Sequence, residues 1–189
     1  MLHGILTSRM VRLLELAVQV TDESIEYITR LVPLAEALGM AVGLSEEMQN
    51  TVVQAAALHD VGNIAVPKDI LKKLGPLDGK EHHTLMRHAD VGAAILSNLG
   101  INEGIVEAIR HHHEWWNGQG YPDGLQGEEI PITAAILAVA NAYDVMIRPG
   151  PHGRARTPGE AVQEILRLSG QRFNPYVAAK LPKVLELAS

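Results

Sequence analysis

At 189 residues the chain is sized for one domain, and 47% apolar content is enough to build its core. Only 4% is aromatic, so that core is assembled from Leu, Ile, Val, Ala and Met, which suits packed helices better than a β-sandwich. A formal charge of −6 offers no basic field for nucleic acid, zero cysteines exclude disulfides and thiolate metal sites, and no apolar run is long enough to span a bilayer. A soluble, cytoplasmic protein, with neither nucleic acid nor membrane as partner, is the expectation.

Apolar residues from Ile5 to Val20 recur at helical spacing, with Arg9, Arg12 and Glu15 between them. Residues 1–20 thus read as an added helix, either a linker or homodimer seam or an ordinary packing helix, ahead of one helical domain over 21–189. A second helix runs from Glu23 to Leu38 and stops near Gly39 or Gly43. Ser45, followed by Glu46 and Glu47, opens a third that runs into His59-Asp60, and Gly62 stops it. Pro67 starts a short helix reaching Leu74, and Gly75-Pro76 breaks the chain.

Asp78 with Glu81 makes a capping-box start for a helix carrying His82, His83 and His88. A segment from Asp90 to Leu99 ends on Gly100, and Asn102 opens the helix that delivers His111, His112 and His113. A glycine-rich loop spans Asn117 to Glu129, after which Pro131 begins a helix to about Met146. Thr157-Pro158-Gly159-Glu160 is another cap with Gly170 as terminator, and the helix opened by Asn174-Pro175 must bend or break at Pro182. No alternating strand pattern of convincing length occurs. The fold class is all-α, a single-domain helical bundle.

Consecutive imidazoles at a helix end are costly to bury unless something binds them, and histidine is the commonest side-chain metal ligand. His59 and Asp60 also sit at a helix terminus, where neighbouring side chains can turn toward one point. With His88 and the pair His112-His113 they outline a metal pocket gathered from several helices.

The ordered segments Leu58-His59-Asp60-Val61-Gly62, His112-His113-Glu114 through Gly120-Tyr121-Pro122, and Ala138 through Asp144 closely resemble the HD-GYP group of HD phosphohydrolases. The resemblance covers about Glu23 to Leu185. It implies a helical bundle around two or three metal ions that hydrolyses cyclic di-GMP. Metal ions suit that role because they neutralise phosphodiester oxygens and supply hydroxide at neutral pH. Nitrogen and carboxylate ligands suit Fe, Mn or Zn alike.

Carried over by position, the implied metal ligands are His59, Asp60, His88, His112 and His113, with Glu23 as a further ligand in three-metal members. His59 and Asp60 are the implied catalytic residues, and Asn63 and Tyr121 the implied substrate contacts. Several positions depart from the group's pattern. Tyr27 stands where it has histidine, Asn141 and Asn117 where it has aspartates, and Asn63 where it has lysine. Gly150-Pro151-His152-Gly153 replaces its arginine-containing segment. One metal position, held by Asp60, His88, His112 and His113, is complete; the second has lost a histidine and a carboxylate. One divalent ion per chain is therefore expected, with the second position weak or empty.

Two readings follow. One is a phosphodiesterase with reduced or lost activity; the other is a module that binds cyclic di-GMP or, through the Gly-Tyr-Pro loop, a signalling protein, and relays a signal without turnover. His82 and His83 read as solvated surface, His111 as a packing or solvent-facing residue, and Asp144 as a structural acceptor. Trp115 and Trp116 read equally as an edge of a base pocket or as a wedge for the loop.

Overall fold

The computed structural model describes residues 6–21, 25–148 and 154–187, and among them helices carry the fold and no strand occurs. The β-type pairs among those residues are isolated bridges, Asn117 with Gln126 and Ser169 with Phe173. The all-α expectation is borne out.

Helices α2 (Ile25–Val42), α3 (Glu46–Leu58), α7 (Glu103–Arg110) and α8 (Ile132–Met146) make the central bundle, α2 packing on α3 and α8, and α7 on α3 and α8. Leu31, Ala35 and Leu38 recur along one face of α2 and are wholly buried, as are Val52, Ala55, Ala56 and Leu58 of α3. Alanine at so many of these contacts lets helix axes approach closely while the branched side chains fill what remains. α8 is buried around most of its circumference, from Thr133 through Leu137, at Val139 and Ala140, and again at Tyr143 and Asp144. It packs against α2, α3 and α7 and against the two helices that follow it.

Around that core, α1 (Ser8–Thr21) lies against α3 and a short 3-10 turn at Val61–Ala65, with Met10 and Ala17 buried. α6 (His88–Asn98) packs on α7 and the same turn. α9 (Pro158–Arg167), α10 (Pro175–Ala178) and α11 (Leu181–Leu187) close the far side, with the chain's single phenylalanine, Phe173, buried between them and α8.

The predicted helix starts hold. Ser45 accepts from Met48 N, Asn102 from Gly104 N, and Asp78 and Thr157 each form complete capping boxes with Glu81 and Glu160. Three predictions need correction. The helix after Pro67 is only Lys68–Leu71 (α4), because Leu74, expected at its end, stands 90% exposed with no core to pack against. Pro182 does not break the last helix; the break falls before it, and Pro182 occupies the second position of α11, where a missing N–H costs nothing.

The third correction bears on the pocket. His88 does not share a helix with His82 and His83. α5 (Gly79–Met86) stops at Arg87, whose N–H turns back to the Leu85 carbonyl, and His88 begins α6. The break frees His88 to point inward, while His82 and His83 remain exposed on α5, as expected of surface residues.

Candidate metal centre and cleft

Three imidazoles are mounted in the same way. His59 Nδ1 donates to the Ala56 carbonyl at 3.0 Å, His88 Nδ1 to Leu85 at 2.7 Å and His112 Nδ1 to Ile109 at 2.5 Å. Each acceptor lies three residues back, near the C-terminus of α3, α5 or α7, where carbonyls lack helical donors. The bond fixes the proton on Nδ1 and turns the Nε2 edge into the pocket, the orientation a metal-binding histidine needs.

These edges converge. His88 Nε2 is 3.4 Å from His112 Nε2, and Asp60 places Oδ2 3.1 Å from His59 Nε2 and Oδ1 3.7 Å from His88 Nε2. The His113 ring centre lies 4.0 Å from that of His112 and 4.9 Å from that of His88. Donor atoms of His88, His112 and His113 all fall within 4.8 Å of one another, as do those of His59, Asp60 and His112. Helix C-termini carry partial negative charge, so the ends of α3 and α7 add to the attraction for a cation.

Burial pushes His112 down to about 3, with the neighbouring His59 and His88 adding to the shift, and burial with His112 and His88 lowers His113 well below an ordinary imidazole. Both rings are therefore neutral at physiological pH and carry lone pairs. Burial alone would raise the Asp60 carboxyl, but the surrounding imidazoles, His59 first and then His88 and His112, outweigh it and hold the group far below the usual carboxylate range. The neutral His112 and His113 rings beside the Asp60 carboxylate fit a divalent transition ion.

The adjoining position does not fit. The Tyr27 hydroxyl lies 2.6 Å from His59 Nε2 and 3.0 Å from the Asn141 side-chain oxygen, filling the space between them. A neutral phenol and a neutral amide supply no anionic charge for a second ion.

A cleft of about 330 Å³ opens beside these residues, lined by Tyr27, Asp60, Asn63, His88, His113, Tyr121, Asn141 and Arg148 among others. Tyr121 stacks on His113 with ring centres 4.9 Å apart, and burial together with Asp60 raises its hydroxyl above the ordinary phenol range, so it remains a hydrogen-bond donor. Its loop is held shut by its own stem. Glu114 Oε1 accepts from Asp123 N and Gly124 N, and a Cβ on Gly120 would sit 2.2 Å from Trp115 N, a space only glycine fits. Trp115 lies beneath the Arg172 guanidinium at 5.1 Å, which favours the wedge reading of that residue.

Arg148 is the cleft residue that the sequence reading missed. Its guanidinium lies 4.8 Å above the Tyr27 ring, with Nη2 2.5 Å from Asp144 Oδ2 and Nε donating to the Asp144 carbonyl. Asp144, buried, also meets Arg30 Nε at 3.1 Å. Two guanidinium groups on one carboxylate leave a surplus positive charge at the cleft mouth. The Asp144–Arg148 spacing of four residues at the end of a helix was the available signal.

Residues 2–177 match the family model described as HD domain. The chain belongs to the HD domain family. Among curated relatives, it is 38% identical over 152 residues to the cyclic di-GMP phosphodiesterase response regulator RpfG of Xanthomonas campestris, covering 79% of this chain and 40% of that protein. It is 39% identical over 145 residues to a cyclic di-GMP phosphodiesterase of Thermotoga maritima, covering 76% of this chain and 39% of the relative. This HD domain thus spans about two-fifths of the length of those relatives. A cyclic GMP-AMP phosphodiesterase of Vibrio cholerae shares the fold with a TM-score of 0.73 at 22% identity, over 94% of this chain and 48% of that one. The resemblance to HD-GYP proteins read from the sequence is borne out.

Of the residues singled out from sequence, His59, Asp60, His88, His112 and His113 come together, and Asn63 and Tyr121 line the adjoining cleft. Glu23 and the segment 150–153 lie outside the described residues. His111 packs, 5% exposed, rather than facing solvent.

Proposed function

We propose that this HD domain binds a single divalent transition ion through Asp60, His88, His112 and His113 and acts slowly on a cyclic dinucleotide, cyclic di-GMP being the first candidate. The observation that carries the reading is the convergence of carbonyl-anchored imidazoles on Asp60 beside a cleft with a surplus arginine at its mouth. When bound, such an ion neutralises phosphodiester charge and makes water acidic enough to attack near neutral pH.

The protein's own groups do the rest. Asp60 stays anionic and so serves as a ligand rather than a proton acceptor. The Tyr121 hydroxyl, kept protonated, donates to a phosphate oxygen, and its ring, stacked on His113, shields one side of the cleft. Arg148 holds the phosphate in place of the cation that Asn63 does not supply, while Asp144 keeps the guanidinium oriented. The names of the relatives support this substrate class.

A second reading, binding and relay without turnover, is favoured by the Tyr27 hydroxyl seated between His59 and Asn141. One preparation separates the two. Ions per chain are measured and cyclic di-GMP hydrolysis is followed with Mn(II) or Fe(II) added. Turnover that disappears in His112→Ala supports hydrolysis. Nucleotide binding without turnover at every metal loading sinks it in favour of the relay, and a result with neither binding nor turnover sinks hydrolysis and leaves relay through a protein partner.

A further inference from the structure

At the C-terminal end of α7 lies a second cluster, built from His111, Glu114 and Asp123. His111 and Glu114 are 5% and 2% exposed. His111 Nδ1 is 3.7 Å from Glu114 Oε1 and 3.7 Å from Asp123 Oδ2, and donor atoms of the three residues fall within 4.8 Å of one another. Neither His111 Nδ1 nor Glu114 Oε2 has a hydrogen-bond partner among the described residues. Buried polar atoms left this way are rare, and each calls for an occupant.

The opposite edge of the His111 ring identifies that occupant. Nε2 lies 3.1 Å from Glu107 Oε2, so Nε2–H donates to that carboxylate and Nδ1 is the nitrogen that faces Glu114 and Asp123. A carboxylate behind one ring nitrogen is the usual support for a histidine whose other nitrogen binds metal. The spacing agrees as well, since His111 Nδ1 and Asp123 Oδ2, 3.7 Å apart, are joined by bonds of about 2.1 Å meeting at roughly 120°, and Glu114 has Oε2 without a partner to offer beside them.

Charge points the same way. Asp90, Glu107 and Asp123 are gathered around one guanidinium, Arg110, which forks onto Asp123 at 3.0 and 2.9 Å and also pairs with Asp90, and Glu114 adds a further carboxylate beside His111. The fork uses one lone pair on each Asp123 oxygen and leaves another. His111 caps α7, so the negative end of that helix faces the same spot.

We infer that His111, Glu114 and Asp123 form a peripheral divalent-cation site that fastens the Gly-Tyr-Pro loop to the end of α7. Glu114 already holds Asp123 N and Gly124 N, so an ion there ties both ends of the turn that carries Tyr121 into the cleft. The site shares no ligand with the cleft.

Equilibrium dialysis of the whole chain against stepped concentrations of free Mn(II) tests it, comparing wild type with Asp123→Asn and Arg110→Gln. Asp123→Asn is expected to hold one ion fewer, or to need at least ~10-fold more free Mn(II) to fill that step. Arg110→Gln, which removes the competing cation, is expected to fill it at lower free Mn(II). Superimposable curves for wild type and Asp123→Asn overturn the inference. So does loss of the ion in Arg110→Gln, because Asp123 would then matter only as a partner for the guanidinium. The step is read as a difference between variants, so the result stands whether or not the cleft binds metal.

Discussion

Gly62 follows the His-Asp pair and faces α6 across a gap that no side chain fits. A Cβ placed there would lie 1.9 Å from the His88 carbonyl oxygen, 2.6 Å from Gly92 N and 2.8 Å from His88 C, all backbone atoms. Reaching ordinary contact requires the turn and α6 to part by about 1.5 Å, and forced overpacking of that kind costs roughly 1–3 kcal/mol. The separation falls between Asp60 and His88, now 3.7 Å from Oδ1 to Nε2, because the one precedes Gly62 and the other sits on α6. A displacement of about 1 Å in a reacting constellation costs on the order of 10²-fold. Gly62→Ala should therefore lower the urea midpoint and weaken Mn(II) binding in the cleft by about 10²-fold. Gly79→Ala is the control: nothing lies within 4 Å of its Cβ, and it should be neutral or stabilising by up to ~1 kcal/mol. A Gly62→Ala protein within about 0.5 kcal/mol of wild type and with unaltered ion affinity would refute the coupling.

Tyr27→His combined with Asn141→Asp replaces a phenol and an amide by an imidazole and a carboxylate, and metal analysis should find one more ion per chain than in wild type. Arg148→Gln should weaken cyclic di-GMP binding about 10- to 100-fold while ion content stays the same, the value of one charge-assisted hydrogen bond; unchanged nucleotide affinity would remove Arg148 from the proposed contact. In chelator, His112 titrates at about 3 in the folded protein against 6.5 when free, so the unfolded chain binds more protons between those values. Stability should rise with pH through that window and level off above it, and a urea midpoint that is flat from roughly pH 4 to pH 7.5 would contradict the burial argument.

Helix starts were legible because caps are local chemistry: Ser45, Asp78, Asn102 and Thr157 each satisfy orphan N–H groups within a few residues. The ordered histidines and Asp60 were legible for the same reason, being fixed by helix ends. What escaped was tertiary. Nothing near Arg87 announces the break that turns His88 inward, since the break is enforced by packing of α6 on α7 and the Val61–Ala65 turn. Arg148 was passed over because its importance depends on Tyr27 and Asp60, which reach the same cleft from distant parts of the chain. Gly120 stands out in the sequence only as one glycine of the Asn117–Glu129 loop; its actual constraint is the closeness of Trp115 N, which no local pattern encodes.

The shared mounting of His59, His88 and His112 on carbonyls three residues back has a consequence for which changes in length the chain tolerates. Ring and anchor lie three residues apart across a helix end, so an inserted or deleted residue between them swings the imidazole away from the pocket and strips it of its acceptor. Lineages of this domain should therefore gain and lose residues in the exposed stretch around Leu74, far from those turns, while the spans Ala56–His59, Leu85–His88 and Ile109–His112 keep constant length even where their side chains drift.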